Sequence, residues 1–114
     1  GQGVRWNPRP LLLHLGRIRA AEGETAVLTM IYSGMGDETL EIEDVRVDSE
    51  HVRVSLEPHT DLQPASGKAF VLTVEVPAGG PPVSYVQPDT VEATILSNHP
   101  LAGEFTFQIQ FVAY

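Results

Sequence analysis

The chain has 114 residues, no cysteine and a formal net charge of −8, with 15 acidic side chains against seven basic ones. This composition excludes disulfides and thiolate chemistry. It also argues against a nucleic-acid ligand, because phosphate binding needs clustered lysine and arginine. The length suits one domain, and no apolar run approaches the roughly 18 residues of a membrane-spanning helix.

The start of the chain lacks a basic segment followed by an apolar one, so we expect no signal peptide within it. The sequence begins at Gly1. We therefore interpret residues 1–114 as a single domain and as a fragment of a longer protein, whose export signal lies outside this segment.

Seven extended segments are predicted. They are separated by runs of proline, glycine, asparagine and serine, which favour turns. In chain order the segments cover residues 11–18, 24–33, 39–47, 52–57, 68–76, 90–96 and 104–114.

The first two segments differ in how clearly they alternate. In 11–18, Leu13 and Leu15 share a face with Leu11, and Gly16 predicts a bulge or bend. Segment 24–33 is apolar on both parities, so the pattern leaves its inward face open. A central strand that is covered on both sides has this pattern.

The middle segments alternate with one interruption. In 39–47 the apolar parity changes near Glu43, which predicts a bulge or a change of partner. Segment 52–57 alternates until Pro58 ends it. The next two segments predict an inward face made of Phe70, Leu72, Val74, Val76, Val91, Ala93 and Ile95.

The closing segment carries the strongest signal. One parity holds Phe105, Phe107, Ile109 and Phe111, and the other holds Thr106, Gln108 and Gln110. Period-two alternation places the apolar groups on one face of an extended strand, so we predict a half-buried strand with one wet face. No window shows sustained helical periodicity. The sequence therefore predicts an all-β, seven-stranded antiparallel immunoglobulin-like β-sandwich.

Several short motifs resemble those of bacterial Ig-like domains of unknown function, relatives of the Hydin-type and major-sperm-protein-like sandwiches. The opening Val4-Arg5-Trp6-Asn7-Pro8, followed by Leu13-His14-Leu15-Gly16-Arg17-Ile18, is similar to their x-P-x-x-L-x-L-G-x-I pattern. Further matches are Glu22-Gly23-Glu24, Tyr32-Ser33-Gly34, Leu40-Glu41-Ile42-Glu43-Asp44-Val45 and Thr94-Ile95-Leu96-Ser97-Asn98-His99-Pro100.

The resemblance covers nearly the whole chain and implies a non-catalytic sandwich, often found in exported or envelope-associated bacterial proteins. One departure matters. Many members carry Cys-Gly-Cys after the third strand, where this chain has Asp48-Ser49-Glu50. Any metal or redox role tied to those cysteines is therefore absent, and the resemblance supplies no catalytic residues.

Metal and enzyme chemistry are not predicted. The histidines His14, His51, His59 and His99 lack the spacing that places two ligands on one metal. The acidic run from Asp37 to Glu50 lacks a D-x-D-x-D-G loop, so we interpret it as a solvated surface rather than a calcium site. No G-x-S-x-G surrounds any serine. We expect no catalytic residue, cofactor or metal.

Four aromatic residues remain as a candidate sugar-stacking platform: Trp6, Tyr32, Tyr85 and Tyr114. The competing interpretation is that Trp6 packs the end of the sandwich and Tyr114 marks the domain boundary.

The expected function is a non-catalytic interaction or spacer module of a larger exported bacterial protein, periplasmic or at the cell surface, with protein partners or neighbouring domains. The alternative is a carbohydrate-binding module of the cell envelope, and a third class is an intracellular scaffold domain. An exposed cluster of Trp6 with Tyr85 or Tyr32 would favour sugar, and a long unpaired edge strand would favour protein partners.

Overall fold

The computed structural model describes residues 5–7, 12–33, 41–59, 68–98 and 103–114. Within these ranges it contains nine strands and no helix, so no helix there could cross a membrane. The strands are β1 (Arg5–Asn7), β2 (Leu12–Ile18), β3 (Glu24–Ser33), β4 (Ile42–Val47), β5 (Arg53–Pro58), β6 (Lys68–Val76), β7 (Val83–Tyr85), β8 (Val91–Ser97) and β9 (Glu104–Ala113).

Two sheets face each other, which confirms the predicted all-β sandwich. One sheet has the order β1-β3-β6-β5, and the other has β2-β9-β8-β4 with β7 also paired to β9. Two details differ from the prediction. The structure adds the three-residue strands β1 and β7, and β2 pairs with β9 in parallel, so the sandwich is not purely antiparallel.

The predicted alternation of the closing strand is confirmed. Along β9 the side chains of Phe105, Phe107, Ile109, Phe111 and Ala113 are buried, while the intervening residues are half-buried or exposed. They pack against buried residues of the facing sheet, of which the largest are Met30, Phe70, Leu72 and Val74. Burial of these apolar groups between two sheets is the main stabilising term of the fold.

The structure settles the inward face of β3. Met30 is 0% exposed and belongs to the core, whereas Val27 on the opposite parity is 67% exposed. The strand is therefore covered on one face only. Both parities are apolar because the outward parity carries Val27 and Ile31 as well as Thr25 and Thr29.

Both predicted irregularities are present. The pairing of β2 with β9 shifts between His14 and Gly16, and Gly16 has a φ of 73° that suits glycine. The pairing of β4 with β8 shifts between Ile42 and Asp44, at the position where the apolar parity changes.

The first and last described elements lie at opposite ends of β3. Arg5 of β1 stands opposite Ser33, at the carboxyl end of that strand. Tyr114 is bonded at the other end: its amide donates to the Ile18 carbonyl at 2.9 Å, and its carbonyl accepts from the Ala20 amide at 2.8 Å. We call the end that holds β1 the entry pole, and the end that holds Tyr114 and the turn 19–23 the exit pole. The molecule measures 46 × 30 × 20 Å.

Candidate functional site

A cleft of about 220 Å³ opens at the exit pole. Three loops that are far apart in sequence surround it: the turn 19–23, the loop 48–52 and the loop 77–82. Its lining residues are Ala20, Glu50, His51, Arg53, Val76, Pro77, Ala78, Gly79, Gly80, Pro81, Val83 and Ala113. The volume is below the range of roughly 300–1,000 Å³ that is usual for small-molecule sites, so the cleft suits one side chain rather than a whole metabolite.

The loop 48–52 is fixed to β7 by a hydroxyl pair. Ser49 Oγ and Tyr85 Oη are 2.8 Å apart, and Ser49 Oγ also accepts from the His51 amide at 3.1 Å. The Tyr85 ring packs against Phe111 with a centroid distance of 5.3 Å. Tyr85 is therefore a structural residue that joins a loop to the core.

The opposite wall depends on a glycine. The Gly79 amide donates to the Ala20 carbonyl at 2.8 Å, which brings the loop 77–82 against the turn 19–23. Gly23 in that turn has a φ of 70°, and a Cβ there would stand 2.7 Å from the Ala78 amide nitrogen. Only glycine allows both the backbone conformation and this close approach.

Two side chains at the cleft rim, His51 and Arg53, each lie near a carboxylate. His51 Nε2 lies 3.7 Å from Glu50 Oε1, and Arg53 Nη1 lies 3.7 Å from Glu75 Oε1. Glu50 and Arg53 remain largely open to solvent, so these pairs are weak. The floor of the cleft is apolar and is formed by Ala20, Val76, Val83 and Ala113. The cleft therefore fits a small apolar group, which would contact the floor and be surrounded by the polar side chains of the rim.

The described histidines are separated. His14 lies on the outer face of the β2-β9-β8-β4 sheet, where its Nδ1 is 3.2 Å from Gln110 Nε2. His51 is at the exit pole, and His59 follows β5, where its amide donates to the Ala69 carbonyl. His99 lies outside the described residues. Among the residues that the structure describes, no three side chains of His, Asp or Glu converge as metal ligands.

The acidic run is divided among separate contacts. Residues 37–40 lie outside the described part. Asp44 accepts from Arg46 Nε and from the Val45 amide, each at 2.9 Å, and these two bonds hold the pKa of its carboxyl below the ordinary value of 3.8. Asp48 Oδ1 accepts from the Glu92 amide at 2.9 Å and so joins the end of β4 to β8.

The four aromatic residues of the candidate platform fall into two separate pairs. The β1–β3 register places Trp6 opposite Tyr32 near the entry pole. Tyr85 and Tyr114 lie toward the exit pole, where the Arg17 guanidinium carbon stands 4.9 Å from the centroid of the Tyr114 ring. The cluster of Trp6 with Tyr85 that would favour sugar is not formed, because the two residues lie toward opposite ends of the sandwich.

A second surface is not predicted by the sequence. On the outer face of the β1-β3-β6-β5 sheet, Val27 stands beside Thr73, and Thr29 stands beside Val71. The adjoining β3 edge from Glu24 to Met30 has no described strand beside it other than β6. Val27, an apolar residue on the outward-facing parity of β3, is the sequence signal for this surface.

Comparison with known proteins identifies no family for this chain. No family model matches the chain, and no curated protein matches it. Among solved structures, the secreted serine protease VesC from Vibrio cholerae is similar over 98% of this chain, with 14% identity and a TM-score of 0.49. The match covers 23% of the protease chain, and it assigns no activity or residue role here.

Proposed function

We propose that this chain is a non-catalytic Ig-like module of a larger exported bacterial protein, where it acts as a spacer that also makes protein contacts. The observation that carries the proposal is the placement of the first and last described residues, Arg5 and Tyr114. The entry pole holds Arg5 beside Ser33, and the exit pole holds Tyr114 beside Ala20. A module of this shape holds the domain before it and the domain after it apart.

The attachment of Tyr114 supports a firm connection. Its amide and carbonyl are both bonded, to Ile18 and Ala20, and the Arg17 guanidinium lies over its ring. A segment joined after Tyr114 would thus leave the sandwich in a fixed direction. The neighbouring cleft, with its apolar floor, would receive one side chain of that segment or of an adjacent domain.

The non-catalytic part of the proposal is supported by the use of the polar side chains. The serine nearest the cleft, Ser49, is bonded to Tyr85, and His51 and Arg53 each face a carboxylate. The Ser49 contact joins a loop to β7, the His51 contact lies within one loop, and the Arg53 contact joins β5 to β6. None of these groups is paired in the nucleophile–base geometry of covalent catalysis.

The carbohydrate alternative has a narrower basis. The register places two aromatic residues, Trp6 and Tyr32, directly opposite each other. A stacking platform would have to rest on these two positions, because Tyr85 and Tyr114 lie toward the exit pole, where Tyr85 packs on Phe111.

The spacer role is tested with two copies of one rigid reporter domain. In one fusion the reporters flank this chain, and in the control they are joined directly. Small-angle scattering measures the distance between reporter centres. We expect this module to increase the distance by between about 30 Å, the length of a ten-residue strand, and its 46 Å long axis. An unchanged distance would mean that the two ends emerge side by side and would contradict the proposal.

A further inference from the structure

The lateral edges of the sandwich differ in how they are protected against pairing with another chain. Natural edge strands use bulges, charges and proline for this purpose. Strand β2 has the bulge at Gly16, β4 has a register shift and the pair Asp44–Arg46, and β5 carries Arg53 and ends at Pro58.

Strand β3 has none of these features along residues 25–30. The segment reads Thr-Ala-Val-Leu-Thr-Met, with no charge and no proline, and its pairing with β6 runs without a shift. Within the described residues β1 covers β3 only at Ile31, Tyr32 and Ser33. Val27, at the centre of the uncovered part, is 67% exposed.

We propose that two copies of this chain pair through this β3 edge. The strands run antiparallel, and Val27 of one copy stands opposite Val27 of the other. A twofold axis then passes beside Val27, and the two four-stranded sheets join into one continuous sheet. Such an isologous contact requires a segment that complements itself.

The segment from Thr25 to Thr29 meets that requirement. Pairing about Val27 places Thr25 opposite Thr29 and Val27 opposite Val27 on the outer face, and Ala26 opposite Leu28 on the inner face. Threonine pairs and pairs of β-branched residues are favourable across strands, and the small alanine leaves room for the leucine. The sequence has this symmetry in the part of β3 that borders no described strand other than β6.

Charge favours the second copy over an arbitrary strand. The amino end of β3 is acidic, with the exposed residues Glu22 and Glu24. The register puts two basic residues beside the carboxyl end, Arg5 opposite Ser33 and Lys68 opposite Tyr32. In the antiparallel pair Glu24 of each copy stands opposite Met30 of the other, next to the end of β3 that carries the two basic positions, and β1 covers the edge beyond Met30.

The contact is small, since it involves one strand of each copy. Interfaces below about 1,200 Å² are typical of weak or transient association. The test therefore traps the pair covalently, which the absence of native cysteine makes possible. Pairing goes beyond the spacer role, which a single copy performs, and the reporter measurement neither requires pairing nor excludes it.

Three single-cysteine variants and one mixture test the register under mild oxidation. Val27→Cys should give a disulfide-linked dimer. In the proposed pair the Cα atoms of the two facing residues lie within the roughly 4.4–6.8 Å that a disulfide spans. Thr25→Cys alone and Thr29→Cys alone should stay monomeric, while a mixture of these two should form the mixed dimer.

Thr73→Cys is the matched control. Thr73 lies beside Val27 on the same outer face but one strand further in. In the proposed pair the two copies of Thr73 are three strand spacings apart, roughly 14 Å, which is too far for a disulfide. We expect a dimer yield at least about tenfold higher for Val27→Cys than for Thr73→Cys, because only the first pair of thiols lies within bonding reach.

Two results would overturn the proposal. Equal yields for Val27→Cys and Thr73→Cys would indicate random collision of exposed thiols. Self-linking of Thr25→Cys as strong as that of Val27→Cys would mean another register or another surface. Sedimentation of the unmodified chain at high concentration supplies an independent readout: it should show a dimer that Val27→Lys abolishes, and a monomer at all concentrations would also reject the pair.

Discussion

The hydroxyl of Tyr85 lies 2.8 Å from Ser49 Oγ, which joins strand β7 to the loop after β4. The two residues are 36 positions apart, and the contact is half-buried. It fixes one wall of the exit-pole cleft to the core, because the Tyr85 ring also packs on Phe111.

Tyr85→Phe should lower the free energy of unfolding by about 0.5–1.5 kcal/mol, the usual net value of one hydrogen bond. The ring contact with Phe111 is kept, so the change isolates the hydroxyl. Urea denaturation measures the loss. Ser49→Ala and the double variant complete a cycle, in which the double loss should be smaller than the sum. Strict additivity would show that the two hydroxyls do not interact.

Gly23→Ala should destabilise the domain by more than Gly16→Ala. Both glycines have positive φ, 70° and 73°. A Cβ at Gly16 meets nothing within 4 Å, so that variant bears the backbone strain alone, roughly 1–2 kcal/mol. At Gly23 the added Cβ also runs into the Val76 carbonyl and the Ala78 amide. Thermal melts of the two variants make the comparison, and equal shifts would argue against the close approach of the two loops.

Phe107→Ala and Gln108→Ala should differ although the residues are adjacent. Phe107 is 1% exposed, and its loss leaves a cavity that costs about 3–5 kcal/mol. Gln108 lies on the outer face, where it accepts from Thr90 Oγ1 and donates to Glu92 Oε2. Those surface bonds are worth about 1 kcal/mol or less. The urea midpoints of the two variants measure this difference. Comparable losses of stability would mean that β9 is covered on both faces.

The pKa of Asp44 should rise when Arg46 is replaced by glutamine. In the folded protein the Arg46 side chain and the Val45 amide hold that pKa below its ordinary value. The stabilisation is therefore present above the ordinary pKa and is lost as the pH falls through the lower, folded value. Carboxyl chemical shifts followed against pH should give an Asp44 midpoint that moves up in Arg46→Gln. An unmoved midpoint would mean that the Arg46 contact does not form in solution.

Much of the fold can be predicted from alternation in the sequence. Strict period-two patterns predict the core faces of β6, β8 and β9. One bulge lies beside Gly16, and the other lies where the apolar parity of β4 changes. Strands β1 and β7 escape prediction because three residues are too few to show a period. The parallel pairing of β2 with β9 depends on which strands meet in space, and no local pattern records that choice.

The candidate surfaces are harder to predict. The cleft is built from three loops that are distant in the chain, and each loop alone has the sequence of an ordinary turn. The inward face of β3 cannot be assigned from the sequence because Val27 makes the solvent-facing parity apolar. Val27, the residue that makes this pattern ambiguous, also lies at the centre of the β3 segment through which two copies are proposed to pair.

The central claim is that Arg5 and Tyr114, the first and last described residues, lie at opposite poles. A distance between spin labels at Arg5→Cys and Tyr114→Cys tests it most directly. We expect a separation between about 30 Å, the length of a ten-residue strand at roughly 3.3 Å per residue, and the 46 Å long axis. The control pair Ala21→Cys and Tyr114→Cys, both at the exit pole, should give a much shorter distance. A separation below about 20 Å for the first pair, less than the length of β3, would place both ends at one pole and contradict the spacer role.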